Sequence, residues 1–286
     1  MLYNADHGFT LQYMLLLAPL KPDDSGSVSI LKQRVVARFV DILLTWRIWN
    51  FRSIAYSTMQ YAMFLVMRDI RGLDPVPLAQ RLHSTLSKET ETFASQNNLR
   101  VHQQNRYHLH RVLARKTDYV ETRSGNPSRY HEYVSDRGRN RFEIEHIWAD
   151  KPDRHIDEFP HPVDFGEYRN RVGGLLLLPK SFNASYGDLP YVRESNPDEG
   201  TKPDEGKKPD EGKLSHYNSQ NLLARSLHPQ CYEHNPRFRA FRDESGLPFK
   251  PHEQFKKADL DARSALYRLL AERIWNPDDV FREVGQ

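Results

Sequence analysis

One cysteine, Cys231, stands among 286 residues. A disulfide framework within the chain and a cysteine-rich zinc site are therefore excluded. Long apolar runs are missing too. The longest, Tyr13–Leu20 and Tyr61–Met67, fall far short of the ~18 residues that a membrane-spanning helix needs. The first twenty residues hold no Lys or Arg, which argues against a signal peptide with a basic start. No glycine-rich phosphate loop is present, so the signature of a P-loop nucleotide site is absent. Charge of one sign is barely in excess, at 41 Lys and Arg against 38 Asp and Glu. These absences leave a soluble cytoplasmic protein with no membrane partner. Its length suits one large domain or two ordinary ones, at ~150 residues each.

The charge that is present lies unevenly. From Arg100 to Arg141, ten Lys and Arg meet only four Asp and Glu. His102, His108, His110 and His131 are interleaved there with Tyr107, Tyr119, Tyr130 and Tyr133. Phosphate binding needs such clustered cations, because each neutralised phosphate releases condensed counterions. Arg111, Arg115 and Arg139 are the nucleic-acid-binding candidates in this stretch. A solvated, Arg-rich helix face is the plain alternative.

Apolar periodicity makes the first third helical. Met59, Met63, Val66 and Ile70 recur at helical spacing, as do Leu78, Leu82 and Leu86. Val35, Val36, Phe39, Val40 and Leu43 form a third stripe leading to Trp46 and Trp49, and all three read as core. From Thr117 to Asn140 the pattern turns polar and aperiodic, with a turn at Ser124-Gly125-Asn126-Pro127, and reads as a connector. Two strand-length apolar segments follow, Phe142–Trp148 and Val172–Leu178. Pro179 ends the second, and Lys180–Tyr186 turns into a helix. A last helix is expected around Leu260–Trp275, stopped by Asn276-Pro277. The expected fold is α+β: a mainly helical region over 1–140, then a ββα module with additional helices over 141–286. Within the module, Pro-Asp-Glu-Gly recurs three times at a period of six between 196 and 213. A six-residue unit without apolar residues buries nothing, so this is read as a disordered insert.

Phe142-Glu-Ile-Glu-His-Ile-Trp148 puts Glu145 directly before His146 at the end of a strand, and Asn183 follows the second strand. Acid-His first and Asn last, across strand, strand and helix, is the layout of a ββα-metal nuclease site. A neutral imidazole takes a proton from water at neutral pH. A carboxylate and an amide oxygen suit a hard cation that neutralises phosphate charge, with water completing its shell. For each residue a structural role is the alternative: a satisfied histidine, a helix-capping Asn, a Glu paired with Arg. His155 and His161 are read as surface histidines.

Ile144-Glu-His-Ile147, followed by Val172-Gly-Gly-Leu-Leu-Leu-Leu-Pro-Lys-Ser-Phe-Asn183, resembles the HNH nuclease domain of GmrSD-type, modification-dependent restriction systems. The resemblance spans about Arg141 to Trp275 and, less distinctly, the helical region before it, and the family's later Lys and Tyr fit Lys213 and Tyr217. It implies His146 as general base, with Asn183 beside it in the catalytic set, and Glu145 and Asn183 as metal ligands. The implied cofactor is Mg²⁺, with Mn²⁺ as an alternative. Lys180 and Lys213 join the arginines as expected DNA contacts. The implied activity is hydrolysis of foreign, modified DNA to 5′-phosphate and 3′-hydroxyl ends. A separate ParB-like, nucleotide-hydrolysing sensor subunit is the implied protein partner, unless the gene is truncated. One departure stands out: the family's central Asn is Gly174 here, a loss that loosens the site unless Asn170 or water substitutes in orienting the histidine. A catalytically impaired nucleic-acid-binding or scaffold subunit is the competing reading.

Overall fold

The computed structural model describes residues 2–138, 140–192 and 212–285. Arg139 and nearly all of the Pro-Asp-Glu-Gly insert lie outside the described residues. The chain divides into two compact units, one of residues up to Leu99 with those from Ala271 onward, the other Arg100–Leu270. The cationic stretch from Arg100 onward falls in the same compact unit as the two strands.

In the first unit the apolar stripes become α1 (Gly26–Trp49), α2 (Tyr56–Ile70) and α3 (Pro75–Leu86). Ser25 caps α1 by accepting from the Val28 amide, and Pro75 opens α3 where its missing N–H costs nothing. Val35, Val36, Phe39, Val40, Met59, Met63, Ile70, Leu78 and Leu82 are all buried. The one buried lysine of α1, Lys32, donates to Asp24 and to the Pro19 carbonyl, so its charge is met.

The second unit is built around α4 (Arg106–Arg123), β1 (Phe142–His146), α5 (Pro162–Arg169), β2 (Leu175–Pro179), α6 (Lys180–Tyr186), α7 (Lys213–Tyr217) and α8 (Lys257–Ile274). β1 and β2 pair antiparallel, from Phe142 opposite Pro179 to His146 opposite Leu175. Both faces of β2 are covered, which is why it reads as an unbroken leucine run. Leu176 and Leu178 join Ile147, Trp148, Phe165, Phe182 and Tyr217 in one core. α6 packs on both strands, and α4 packs on β2.

Three expectations are corrected. α4 runs through Arg123, into the supposed connector, because Thr117, Val120 and Glu121 are buried there. Glu121 accepts from the Leu222 amide and Asp118 from the Arg129 amide, and such side-chain acceptors replace the missing apolar period. Val172–Gly174 is a 3-10 turn rather than the start of the second strand. His155 is not a free surface histidine: its ring packs on Trp148 and Phe165.

The Gly173-Gly174 pair lets α8 approach the turn. A Cβ on Gly173 would sit 2.3 Å from the Leu260 carbonyl and 2.5 Å from the Ser264 amide. At Gly174 the nearest atom is the Leu260 side-chain tip, at 3.1 Å. Backbone cannot yield as a side-chain tip can. In urea unfolding, Gly173→Ala is expected to lose at least ~1–3 kcal/mol, the usual range for overpacking, and Gly174→Ala clearly less. Equal losses would contradict this packing.

Candidate active site

Directly opposed residues of an antiparallel pair share a face. Glu145 lies opposite Leu176 and so faces the core that Phe182 of α6 joins, and Asn183 is the next residue of that helix. His146 lies opposite Leu175 and faces the other way, at the strand's last position. The sequence places ligand and base next to each other, and the pleat sends them to two sides of one strand end.

His146 is half-buried, and its Nε2 lies 2.8 Å from Asn170 Oδ1. The Asn170 amide nitrogen donates to the Gly166 carbonyl at 2.9 Å, which fixes the oxygen toward the ring. An oxygen acceptor at Nε2 requires a proton there and leaves the lone pair on Nδ1. Burial, with the charge of Arg169 next, pushes the His146 pKa down to about 3. The ring is therefore neutral at neutral pH. Asn170 is thus the side chain that holds the ring at Nε2.

Glu145 is buried beside Lys213. The Lys213 ammonium donates to Glu145 Oε1 at 2.6 Å and to the His146 carbonyl at 2.8 Å. Burial raises the Glu145 carboxyl, opposed by the Lys213 charge, and burial lowers Lys213, opposed by Glu145. An ammonium that donates to a carboxylate and a carbonyl together has the geometry of a charged pair. Asn183 Oδ1 is buried and meets no hydrogen-bond donor among the described residues. A buried acceptor left bare is costly, and a hard cation is one group that would satisfy it.

The expected DNA contacts separate. Lys180 is exposed at the start of α6, and Arg115 is half-buried on α4. Arg111 is buried, its guanidinium over the Tyr107 ring. Lys213 is buried in its ion pair, so both are corrected from phosphate contacts to interior groups. Two cations near the site escaped the sequence reading. Arg169 donates to the Trp148 carbonyl, and its charge and that of the exposed Arg106 both act on His146. Arg106 was legible as part of the cationic stretch. Arg169 had only its place before Asn170 and the Gly-Gly turn to mark it.

The family described as GmrSD restriction endonucleases, C-terminal domain, matches residues 86–267. The chain belongs to this family. The match starts well before residue 141, so α4 lies within the family's domain as well as within the second compact unit. Membership gives the GmrSD-type domain a nuclease role in restriction. No curated protein and no solved structure matches the chain.

The depressed His146 pKa has a consequence for stability. With ~6.5 in the unfolded chain and about 3 in the fold, His146 binds a proton on unfolding between those values. Its contribution is complete above ~6.5 and is lost as pH falls toward the folded value. His155, pushed down to about 4 by burial, adds a slope of the same sign. Urea unfolding between about pH 7 and about pH 4 should show a shallower fall in stability for His146→Gln than for the wild type. Parallel curves would mean that the ring is not held neutral.

Proposed function

We propose that this chain is an HNH-type, metal-dependent DNA endonuclease whose β1–β2–α6 unit is a ββα-metal site. The observation that carries the reading is the His146–Asn170 hydrogen bond, which presents a neutral Nδ1 lone pair at the end of β1. With a phosphate anion beside the ring offsetting Arg169 and Arg106 and raising its basicity, Nδ1 takes the proton from an attacking water, and Asn170 stabilises the resulting imidazolium through Nε2–H. Arg169 and Arg106 set a cationic field that draws the phosphate toward His146.

The donor set fits a divalent cation: one carboxylate, Glu145, and one bare amide oxygen, Asn183 Oδ1. Glu145 and Asn183 would hold Mg²⁺ or Mn²⁺, which when bound neutralises charge on the phosphate and the leaving 3′ oxygen. Asn183 thus serves catalysis as a ligand. Lys180, Arg106 and Arg115 supply phosphate contacts that position DNA without reading its sequence. The products are 5′-phosphate and 3′-hydroxyl ends, the setting is defence against foreign DNA in the cytoplasm, and a ParB-like sensor acts as a separate partner. The scaffold reading drew on Gly174 and on the missing sensor module, and the Asn170 acceptor beside His146 speaks against the first of these grounds.

Nicking of supercoiled plasmid with Mg²⁺ tests this. His146→Ala is expected to lose activity by ~10²–10⁴-fold, the usual worth of a general base, while binding DNA as the wild type does. Arg106→Ala and Lys180→Ala should instead weaken binding uniformly across sequences, each lowering the salt slope by about 1. Equal nicking by His146→Ala and the wild type would remove the catalytic assignment.

A further inference from the structure

Lys213 follows directly on the last Pro-Asp-Glu-Gly unit, and its side chain is 1% exposed. Its backbone closes the neck of the insert: the Lys213 amide donates to the Pro190 carbonyl and the Leu214 amide to the Tyr191 carbonyl. Gly212, the last residue of the third unit, makes this closure possible. A Cβ there would lie 2.6 Å from the Tyr191 carbonyl and 2.8 Å from Val192 Cα. Beyond the neck, Tyr217 of α7 stacks on Phe182, the residue before Asn183. The main chain around Lys213 is thus anchored on both sides before its side chain reaches the site.

We propose that Lys213 is a positioning residue for the nuclease reaction, holding the Glu145 carboxylate and the His146 backbone in one fixed relation. This rests on the HNH reading above. One ammonium bridges a side-chain oxygen of residue 145 and the main-chain oxygen of residue 146, so a single group fixes two consecutive functional residues. With Oε1 engaged by Lys213, Glu145 has one oxygen left to offer to a cation. The neck ties this arrangement to the two ends of the insert, so the repeats join the site at the residue that orients it. A surface lysine could do none of this, because exposed ion pairs hold geometry weakly.

The test compares Lys213→Met with the wild type in the full chain, by steady-state cleavage, DNA binding and Mn²⁺ binding without DNA. A misplacement of about 1 Å in a reacting group costs roughly 100-fold, so a kcat loss of that order is expected with KM and DNA affinity nearly unchanged. Mn²⁺ should bind more weakly. A kcat close to that of the wild type, or a loss confined to DNA affinity, would overturn the proposal. Tighter Mn²⁺ binding would also overturn it, since Lys213 would then be occupying the cation's place.

A second variant covers a failure of Lys213→Met to fold. Lys213→Cys in a Cys231→Ser background, aminoethylated unfolded and then refolded, restores an ammonium at nearly the same reach. Recovery of kcat supports the assignment, and a refolded but inactive product rejects it. If the wild type shows no Mg²⁺-dependent cleavage, the HNH reading fails by itself. Lys213 is then judged by amide exchange over residues 144–148, which should quicken in Lys213→Met and would refute positioning if unchanged.

Discussion

The pairing of residues 142–146 with 175–179 is the constraint on which the rest of the second unit depends. Its register decides what lies on each face. With Glu145 opposite Leu176, the carboxylate points into the core that carries α6 and α7, where Lys213 waits for it. With His146 opposite Leu175, the imidazole turns toward Asn170. A slip of one residue would exchange the two faces, leave Glu145 without its counter-ion and take the ring from its acceptor. The leucine run of β2, buried on both sides, reads alike in either register, so the slip is resisted by the side-chain partners of β1 and by the Lys180 amide bonded to the Arg141 carbonyl at the far end.

The site carries unusual electrostatic stakes for so small a sheet. A buried carboxylate is tolerated only with a partner, and breaking a buried pair by removing one member costs several kcal/mol. The protein meets this with a lysine that lies 68 residues away along the chain, across the insert. The length of chain between matters little, since loop closure grows only as the logarithm of length. What matters is that both ends meet, and Gly212 against Tyr191 is the contact that allows it. Cationic side chains near His146 act in the same direction as burial, keeping the ring neutral while favouring an anionic substrate.

Much of this was legible in the sequence, and the failures have physical causes. Helices with a clear apolar period were read correctly, because burying one face is what writes the period. Lys180–Tyr186 was placed to the residue, since Pro179 marks its start. The continuation of α4 beyond Thr117 was missed because buried acidic residues, Asp118 and Glu121, do there what apolar residues do elsewhere. Lys213 was read as a phosphate contact because composition shows a charge but not its neighbours. Asn170 was foreseen only as a substitute, suggested by the missing Asn at Gly174. The close approach of Leu260 and Arg169 around Gly174 leaves little room there for a larger side chain, so the histidine's partner comes from the end of α5 instead.

The central claim is that Glu145, His146 and Asn183 serve one divalent cation and one phosphate at the end of β1. Paramagnetic broadening by substoichiometric Mn²⁺, read on the Asn183 side-chain amide and the His146 ring in a specifically labelled protein, tests it most directly. The account predicts that both signals broaden together, that diamagnetic Mg²⁺ in excess restores them, and that Glu145→Gln abolishes the effect. Sharp Asn183 and His146 signals with Mn²⁺ bound elsewhere would contradict it.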